Sequence, residues 1–328
     1  MLRALFICTV LACCAVSSAG AQPAATEGAA ARPIKGPFLT LLFSRSELSL
    51  ANRCAPDNVN VVRLDTGVAP ELHRRGLKGT GTVQTKVTRM DHRGCVHYKG
   101  AITASWPDLE RLRDEFRWSF VSHSRTFETN LGHLSPRALY RETCGTLRVL
   151  RKHGHERADG LFAYPNNKWS VGVQTQVAKC FAFGRRYELG AGKKPEVMQK
   201  PYFQPTQGIS GGRCHVAGTA CVSLQTVTKY KSPVVVADQL ARLRRGQWLT
   251  LQSYIFVTGS RADAWDCTSP NWKLHWSRDV ERYCWVDYLQ ILDAIPQHVN
   301  VVDPKTVARA WGRKDDSYSP PPPPPPPP

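Results

Sequence analysis

Short apolar blocks recur along this chain, and their period switches between that of a strand and that of a helix. Phe38–Phe43 (FLTLLF) is a continuous apolar run, the pattern of a parallel strand buried on both faces. Val68–Arg75 reads as a short helix stopped by Gly76, and Thr80–Lys86 (TGTVQTK) alternates as a second strand. Ser105-Trp106-Pro107-Asp108 has the form of a capping box and opens a helix to Phe116. Trp118–Ser122 is a third strand. Ser135–His153 reads as one long helix, with Pro136 in its first turn and Gly154 beyond its end. Leu161–Pro165 is strand four, Ser170–Lys179 a helix and Cys180–Arg185 strand five. Ala237–Arg245 is a helix closed by Gly246, and Trp248–Val257 (WLTLQSYIFV) is strand six. Trp285–Ile295 is a helix, His298–Val302 a last strand, and Asp303-Pro304 starts a terminal helix. Glu196–Lys231 breaks the pattern and reads as a loop or small hairpin insertion. Alternation of this kind predicts a parallel α/β sheet, closed or nearly so.

The ends of the chain change the compartment. Arg3, the apolar run Ala4–Val16 and Ala19-Gly20-Ala21 form a secretory signal with cleavage expected after Ala21. The run is too short to span a membrane, and no later stretch approaches that length, so no stable membrane insertion is expected. Residues 22–37 form an Ala/Pro/Gly linker, 38–313 suit a single barrel-sized domain, and 314–328 are a disordered polyproline tail. Proline fixes φ and lacks an N–H, so Pro320–Pro328 is expected to extend as a stiff rod. There is no N-glycosylation sequon.

Of the 11 cysteines, Cys8, Cys13 and Cys14 leave with the signal. Eight remain, an even number, which in a secreted chain points to four disulfides. Sequence does not fix their connectivity. Neighbour-to-neighbour loops are the simplest arrangement: Cys54–Cys95, Cys144–Cys180, Cys214–Cys221 and Cys267–Cys284. No CxxC pair occurs, which argues against a thiolate zinc site. A formal charge of +18 and pI near 9.7 suit attraction to acidic polymers such as sulfated or uronic polysaccharide. Nucleic acid is not the expected partner, because the chain is exported and its basic residues form no nucleic-acid motif. Arg151–Arg157 and Arg242–Arg245 read as basic helix ends, which the helix dipole favours.

The chemistry centres on Trp118–Gly132 (WSFVSHSRTFETNLG). Its strand ends in His123-Ser124, at the strand terminus where an α/β barrel places its active groups. The next strand carries Tyr164-Pro165. In this order the chain resembles the polysaccharide deacetylase (NodB-homology) family over most of the domain. The resemblance implies a distorted (β/α) barrel, here disulfide-stabilised. It also implies a metal held by one Asp and two His beside a second Asp as base, polarising an acetyl carbonyl and activating water. The motifs are only half kept. Where the family has Thr-Phe-Asp-Asp-Gly, Ser44 and Arg45 stand in place of the aspartates. The second motif keeps His123 and Ser124, but its second His is Phe127. Ala163 precedes Tyr164 where the family has Arg, and the final His position falls at Ser253 or Tyr254. A second register, with Leu64-Asp65-Thr66-Gly67 at the first motif, recovers one acid. The tail resembles extensin-type hydroxyproline-rich modules, which implies an extracellular matrix or cell wall.

The expectation is therefore a secreted deacetylase-like protein that binds or acts on extracellular polysaccharide without a metal or other cofactor. Ser44, Arg45, Ser124, Tyr164, Gln252 and Tyr254 are the candidate substrate-binding residues, with Asn166 and Asn167 beside them. An alternative is a metal-independent carbohydrate enzyme with Glu47 and His123 as its acid/base pair. Asp65, Asp91 and Glu128 stay open as a second carboxylate. A third possibility is a structural wall protein held by its tail. Each residue also has a plainer role: an Arg45–Glu47 ion pair, a rim hydrogen bond for His123, packing for Tyr164 and a turn for the asparagines. Trp265, Trp272, Trp276 and Trp285 form either a stacking platform for sugars or packing between disulfides.

Overall fold

Eight strands of a computed structural model form one sheet, and seven of them lie in nearly sequential order. The structure describes residues 36–44, 48–52, 54, 60–86, 89–90, 94–98, 101–126, 130–165, 170–185, 209–210, 213–214, 222–226, 232–245, 248–253, 255–261, 265–271, 275–277 and 282–310. The signal, most of the linker and the polyproline tail lie outside them.

The strands are β1 (Phe38–Phe43), β2 (Gly79–Val83), β3 (Ser119–Ser122), β4 (Phe162–Ala163), β5 (Gly184–Arg185), β6 (Val222–Thr226), β7 (Trp248–Ser253) and β8 (Asn300–Val301). Their order is β6-β7-β1-β2-β3-β4-β5. Every pairing in that path is parallel, and β8 adds to the start of β1. Helices return the chain between strands: α1 (Ala69–Arg74), α2 (Trp106–Phe116), α3 (Pro136–Glu142), α4 (Gly145–Lys152), α5 (Val171–Ala178), α6 (Pro233–Ala241), α7 (Trp285–Asp293) and α8 (Pro304–Ala310). The parallel sheet with crossover helices is the architecture of a distorted (β/α) barrel.

Two layers of side chains sandwich the sheet. Leu39, Leu41, Phe43, Phe120, Phe162, Leu249 and Leu251 join the larger core, under the helices. The alternate positions Phe38, Leu42, Val121 and Trp248 join a second cluster on the inner, concave face. All six residues of β1 are buried, in keeping with a sequence that is apolar at every position but Thr40. Small hydroxyl residues fill the gaps between these inner side chains. Trp248 Nε1 donates to Thr40 Oγ1 at 3.0 Å, and Thr40 Oγ1 donates to the Val302 carbonyl at 2.7 Å. Thr80 and Ser119 hydroxyls meet at 2.9 Å.

The last helix closes the concave face. Val307 and Ala308 of α8 are fully buried in the inner cluster with Phe38 and Trp248, the first residues of β1 and β7. Lys305 Nζ donates to Asp159 Oδ2 at 2.7 Å, and Lys305 is only 2% exposed. Gly160 is required here: a Cβ on it would lie 2.5 Å from the Lys305 backbone nitrogen. Arg157 and Lys78 reach Asp303, just ahead of α8. Burial alone would raise the Asp303 pKa, but the nearby Arg157 and Lys78 charges outweigh it and hold the carboxyl below its usual range.

The structure revises several elements read from the sequence. The segment Ser135–His153 forms two helices, not one. Thr143, at φ −112° and ψ −95°, ends α3, and the buried Cys144 turns inward to pair with Cys180 at a Cα separation of 5.5 Å. Trp248–Val257 divides: β7 ends at Ser253, and Ile255–Val257 pairs with Arg282–Cys284 in a separate small sheet. Val222–Thr226 lies inside the presumed insertion yet joins the main sheet as β6, parallel to β7. Its sequence, VSLQT, has too few apolar residues to stand out. Cys54–Cys95 and Cys267–Cys284 pair at Cα separations of 5.8 and 5.5 Å. Cys221 lies outside the described residues, so the fourth expected pair does too. No helix among the described residues is long and apolar enough to cross a membrane.

Candidate functional site

Because the strands run parallel, their C-terminal ends share one edge, and the sequence-predicted residues that are described gather there. Phe43 pairs with Ser253 across β1 and β7, so Ser44 follows the last paired residue of β1. Val83 pairs with Ser122 across β2 and β3, so Gln84 and His123 are neighbours one step beyond. Alternation sorts them by face. Leu42, Val121 and Trp248 point inward, so Ser44, His123 and Gln252 belong to the concave face. Ser44 and Gln252 sit on adjacent strands. His123 is two strands from Ser44, about 10 Å along the sheet.

Ser124 and Tyr164 are placed differently. Ser124 is fully buried, and its hydroxyl donates to the Thr126 carbonyl at 2.7 Å. Tyr164 is 4% exposed, lies in the helix-side core and meets Phe162 edge-on. Both occupy the right strand ends but are enclosed by protein. Arg45, Glu47 and Tyr254 lie outside the described residues, as do Asn166, Asn167, Phe127, Asp91 and Glu128. Asp65 belongs to the connection between β1 and α1. It lies in a helical turn (Leu64–Val68), where Arg63 and Arg111 hold its carboxylate at 3.1 and 2.9 Å. Of the four tryptophans, Trp265 is buried, and Trp285 stacks near Tyr288 at 5.7 Å.

The turn that carries His123 is tied at every residue. The His123 N–H donates to the Val83 carbonyl at 2.8 Å. Ser124 adopts φ +67°, a left-handed conformation uncommon for serine, and its N–H donates to Ser122 Oγ. The Thr126 N–H donates to the buried Glu142 carboxylate at 2.7 Å. His123 Nδ1 lies 2.9 Å from the Ala163 carbonyl. A carbonyl only accepts, so Nδ1 carries the proton and a neutral ring has its lone pair on Nε2.

Sequence reading passed over two further residues. Gln84 follows β2 on the inner face, and Arg185 ends β5 with 3% exposure, its carbonyl accepting from the Tyr164 N–H. Strand-end position alone would have flagged both. Gln84 Nε2 and Gln252 Oε1 are buried and have no hydrogen-bond partner among the described residues. They stand on β2 and β7, the two strands that flank β1.

A catalytic zinc needs three convergent His, Asp, Glu or Cys ligands. The described donors at this edge are hydroxyls, amides and one imidazole, with no carboxylate turned toward them, and they do not fit such a metal. Among the described residues no group of three His, Cys, Asp or Glu is arranged to hold an ion.

No protein-family model matches the chain, and no curated protein matches it in sequence. Among solved structures the chain is similar to the family 4 carbohydrate esterase from Streptomyces lividans in complex with acetate. The identity is 12% and the TM-score 0.35, with 84% of this chain and 88% of that one covered. It is similar to IcaB from Ammonifex degensii at 13% identity and TM-score 0.32, covering 45% and 82%. It is also similar to the Streptococcus pyogenes deacetylase PplD in complex with acetate, at 18% identity and TM-score 0.32. That match covers 43% of this chain and 51% of the PplD chain, so this chain spans about half of that relative's length.

Proposed function

We propose that this is a secreted protein that binds extracellular polysaccharide at the C-terminal edge of a deacetylase-type barrel, without metal-dependent deacetylation. The observation that carries the reading is the pair of amide atoms on either side of β1. Gln252 offers an acceptor and Gln84 a donor, both buried and both unpaired by protein. Leaving such groups unpaired costs about 1–3 kcal/mol each, and a polyhydroxylated ligand would supply hydrogen bonds to both once the side chains turn toward the cleft. Ser44 lies between them at the end of β1. The disulfides suit the oxidising compartment that the signal peptide implies.

Elemental analysis and acetate release test the metal part. No stoichiometric zinc is expected after dialysis, and no chelator-sensitive release of acetate from acetylated chitin or xylan. Near-unit zinc together with activity abolished by chelator would overturn this part and return a ligand role to Asp65 or Glu47.

The fixed tautomer of His123 favours a second reading, a metal-independent hydrolase with Glu47 and His123 as its acid/base pair. The two separate on His123→Ala. Turnover lost with glycan affinity retained supports the enzyme; absence of turnover in the unaltered protein supports the binder.

A further inference from the structure

The two helices that follow β3 carry a row of cations without counter-charges. Together α3 and α4 hold five cations, Arg137, Arg141, Arg148, Arg151 and Lys152, against one acid, Glu142. Glu142 is buried and its carboxylate accepts the Thr126 N–H at 2.7 Å. Arg151 pairs with Asp159 at 3.6 Å. The other four cations are exposed, and none pairs with a carboxylate among the described residues. Cations elsewhere stand beside acids: Arg74 of α1 meets Glu71, Arg113 of α2 meets Asp114, and Arg242 just after α6 meets Asp238. Arg137 and Arg141 are four residues apart, as are Arg148 and Lys152, so each pair shares one helix face with Cβ atoms about 5–6 Å apart. Like charges at that spacing repel and weaken the helix. The helix dipole favours Arg141 and Lys152 in the last turns but opposes Arg137, the second residue of α3. A basic helix end therefore does not account for the row. Charges set against local stability are expected where a ligand supplies the missing sign. The Thr126–Glu142 bond also brings the backbone of exposed Arg125 to the end of α3, so the row meets the strand-end edge.

We propose that the exposed face of α3 and α4 binds an anionic polysaccharide chain, as a second contact beside the strand-end site. Cations repeated along two helices match a polymer with repeated sulfate or carboxylate groups better than one small anion. An oxyanion between two cations of a pair turns their repulsion into attraction, and arginine adds charge-assisted hydrogen bonds to it. Nucleic acid fits the face less well. Single strands stack on exposed aromatic rings, and Tyr140, the one aromatic of these two helices, packs against the main core. The disulfides suit an oxidising compartment, where acidic polysaccharide is the available polyanion. The inference rests on the extracellular-polysaccharide reading for the class of ligand, and it narrows that class to anionic chains.

Calorimetric titration of the whole mature protein with a dextran sulfate oligosaccharide, and with neutral dextran of equal length, tests it. Dextran sulfate is expected to bind at least tenfold more tightly than dextran. Replacing the row (Arg137→Gln, Arg141→Gln, Arg148→Gln and Lys152→Gln together) should weaken dextran sulfate at least tenfold, with the denaturation midpoint retained. A control removes the same number of exposed cations from scattered positions, as Arg74→Gln, Arg117→Gln, Arg242→Gln and Arg245→Gln together. It should weaken binding less than threefold. If the fourfold row variant fails to fold, its α3 pair and its α4 pair are replaced separately, and each is expected to weaken binding at least threefold. Equal losses in row and control overturn the proposal, because net charge would then be the cause. Absence of dextran sulfate binding, by a protein whose fold is verified by circular dichroism, also overturns it. Tighter binding of a DNA duplex, with the same loss in the row variant, would reassign the row to nucleic acid. A loss confined to Gln252→Ala defeats the row and leaves the strand-end reading standing; a loss confined to the row variant does the reverse.

Discussion

His155 shows how a single buried group sets a limit on stability. It lies 4% exposed beneath Trp106 and edge-on to Phe120 at 4.8 Å. Burial, with the Arg113 charge nearby, pushes its pKa down to about 4. An unfolded chain binds a proton at His155 near pH 6.5, and the folded one does not until near pH 4. Stability should therefore be highest above about pH 6.5 and fall through the window down to pH 4, by roughly 3 kcal/mol from this group. Urea denaturation at a series of pH values checks this, with His155→Phe expected to flatten the slope. A second residue-scale prediction concerns Lys305. Lys305→Met would leave the Asp159 carboxylate buried beside only the more distant Arg151, at 3.6 Å, and should cost about 3–5 kcal/mol. Adding Asp159→Leu should recover most of that loss in the same denaturation assay. At this scale the sequence made the strand-end positions of His123, Ser44 and Gln252 legible. It was silent on the facing of Ser124 and Tyr164, because alternation alone does not say which side of a sheet the helices cover. Only the packing partners Phe162 and Thr126 decide that.

Among the elements, those with a strong local signature emerged as read. The Ser105 capping box forms with both of its hydrogen bonds, and the apolar run 38–43 is an interior strand of the sheet. The elements that were misread depend on distant partners. The α3–α4 break follows from the reach of Cys144 toward Cys180, and β6 exists through its pairing with β7 rather than through its own hydrophobicity. The covalent links give a direct test. Removing Cys144–Cys180 by double serine substitution should cost about 2–4 kcal/mol in a denaturant titration. Thiol titration of the denatured, unreduced mature protein should find no free thiol. One or more would remove Cys214–Cys221 from the expected set. The docking of α8 is tested by Gly160→Ala, whose methyl would meet the Lys305 backbone. A loss of about 1–3 kcal/mol is expected. An unchanged midpoint would mean that α8 does not close the concave face as described.

For the molecule as a whole, the disulfides, the strong positive charge and the buried amides at the strand ends are the features on which the proposed extracellular polysaccharide role rests. Under the proposed function, an acidic glycan is the expected ligand, because a strongly basic surface raises the local concentration of anionic polymers. Association driven this way should weaken as salt rises, since exposed charges are screened within about 10 Å at 0.1 M ionic strength. The most direct measurement is calorimetric binding of the full mature protein to a panel of acidic and neutral extracellular polysaccharides, with and without EDTA. Saturable binding to an acidic member, unchanged by EDTA and weakened at least tenfold by Gln252→Ala, is the expected result. Absence of binding across the panel, or binding that disappears with EDTA, would contradict a metal-independent polysaccharide site at the strand ends.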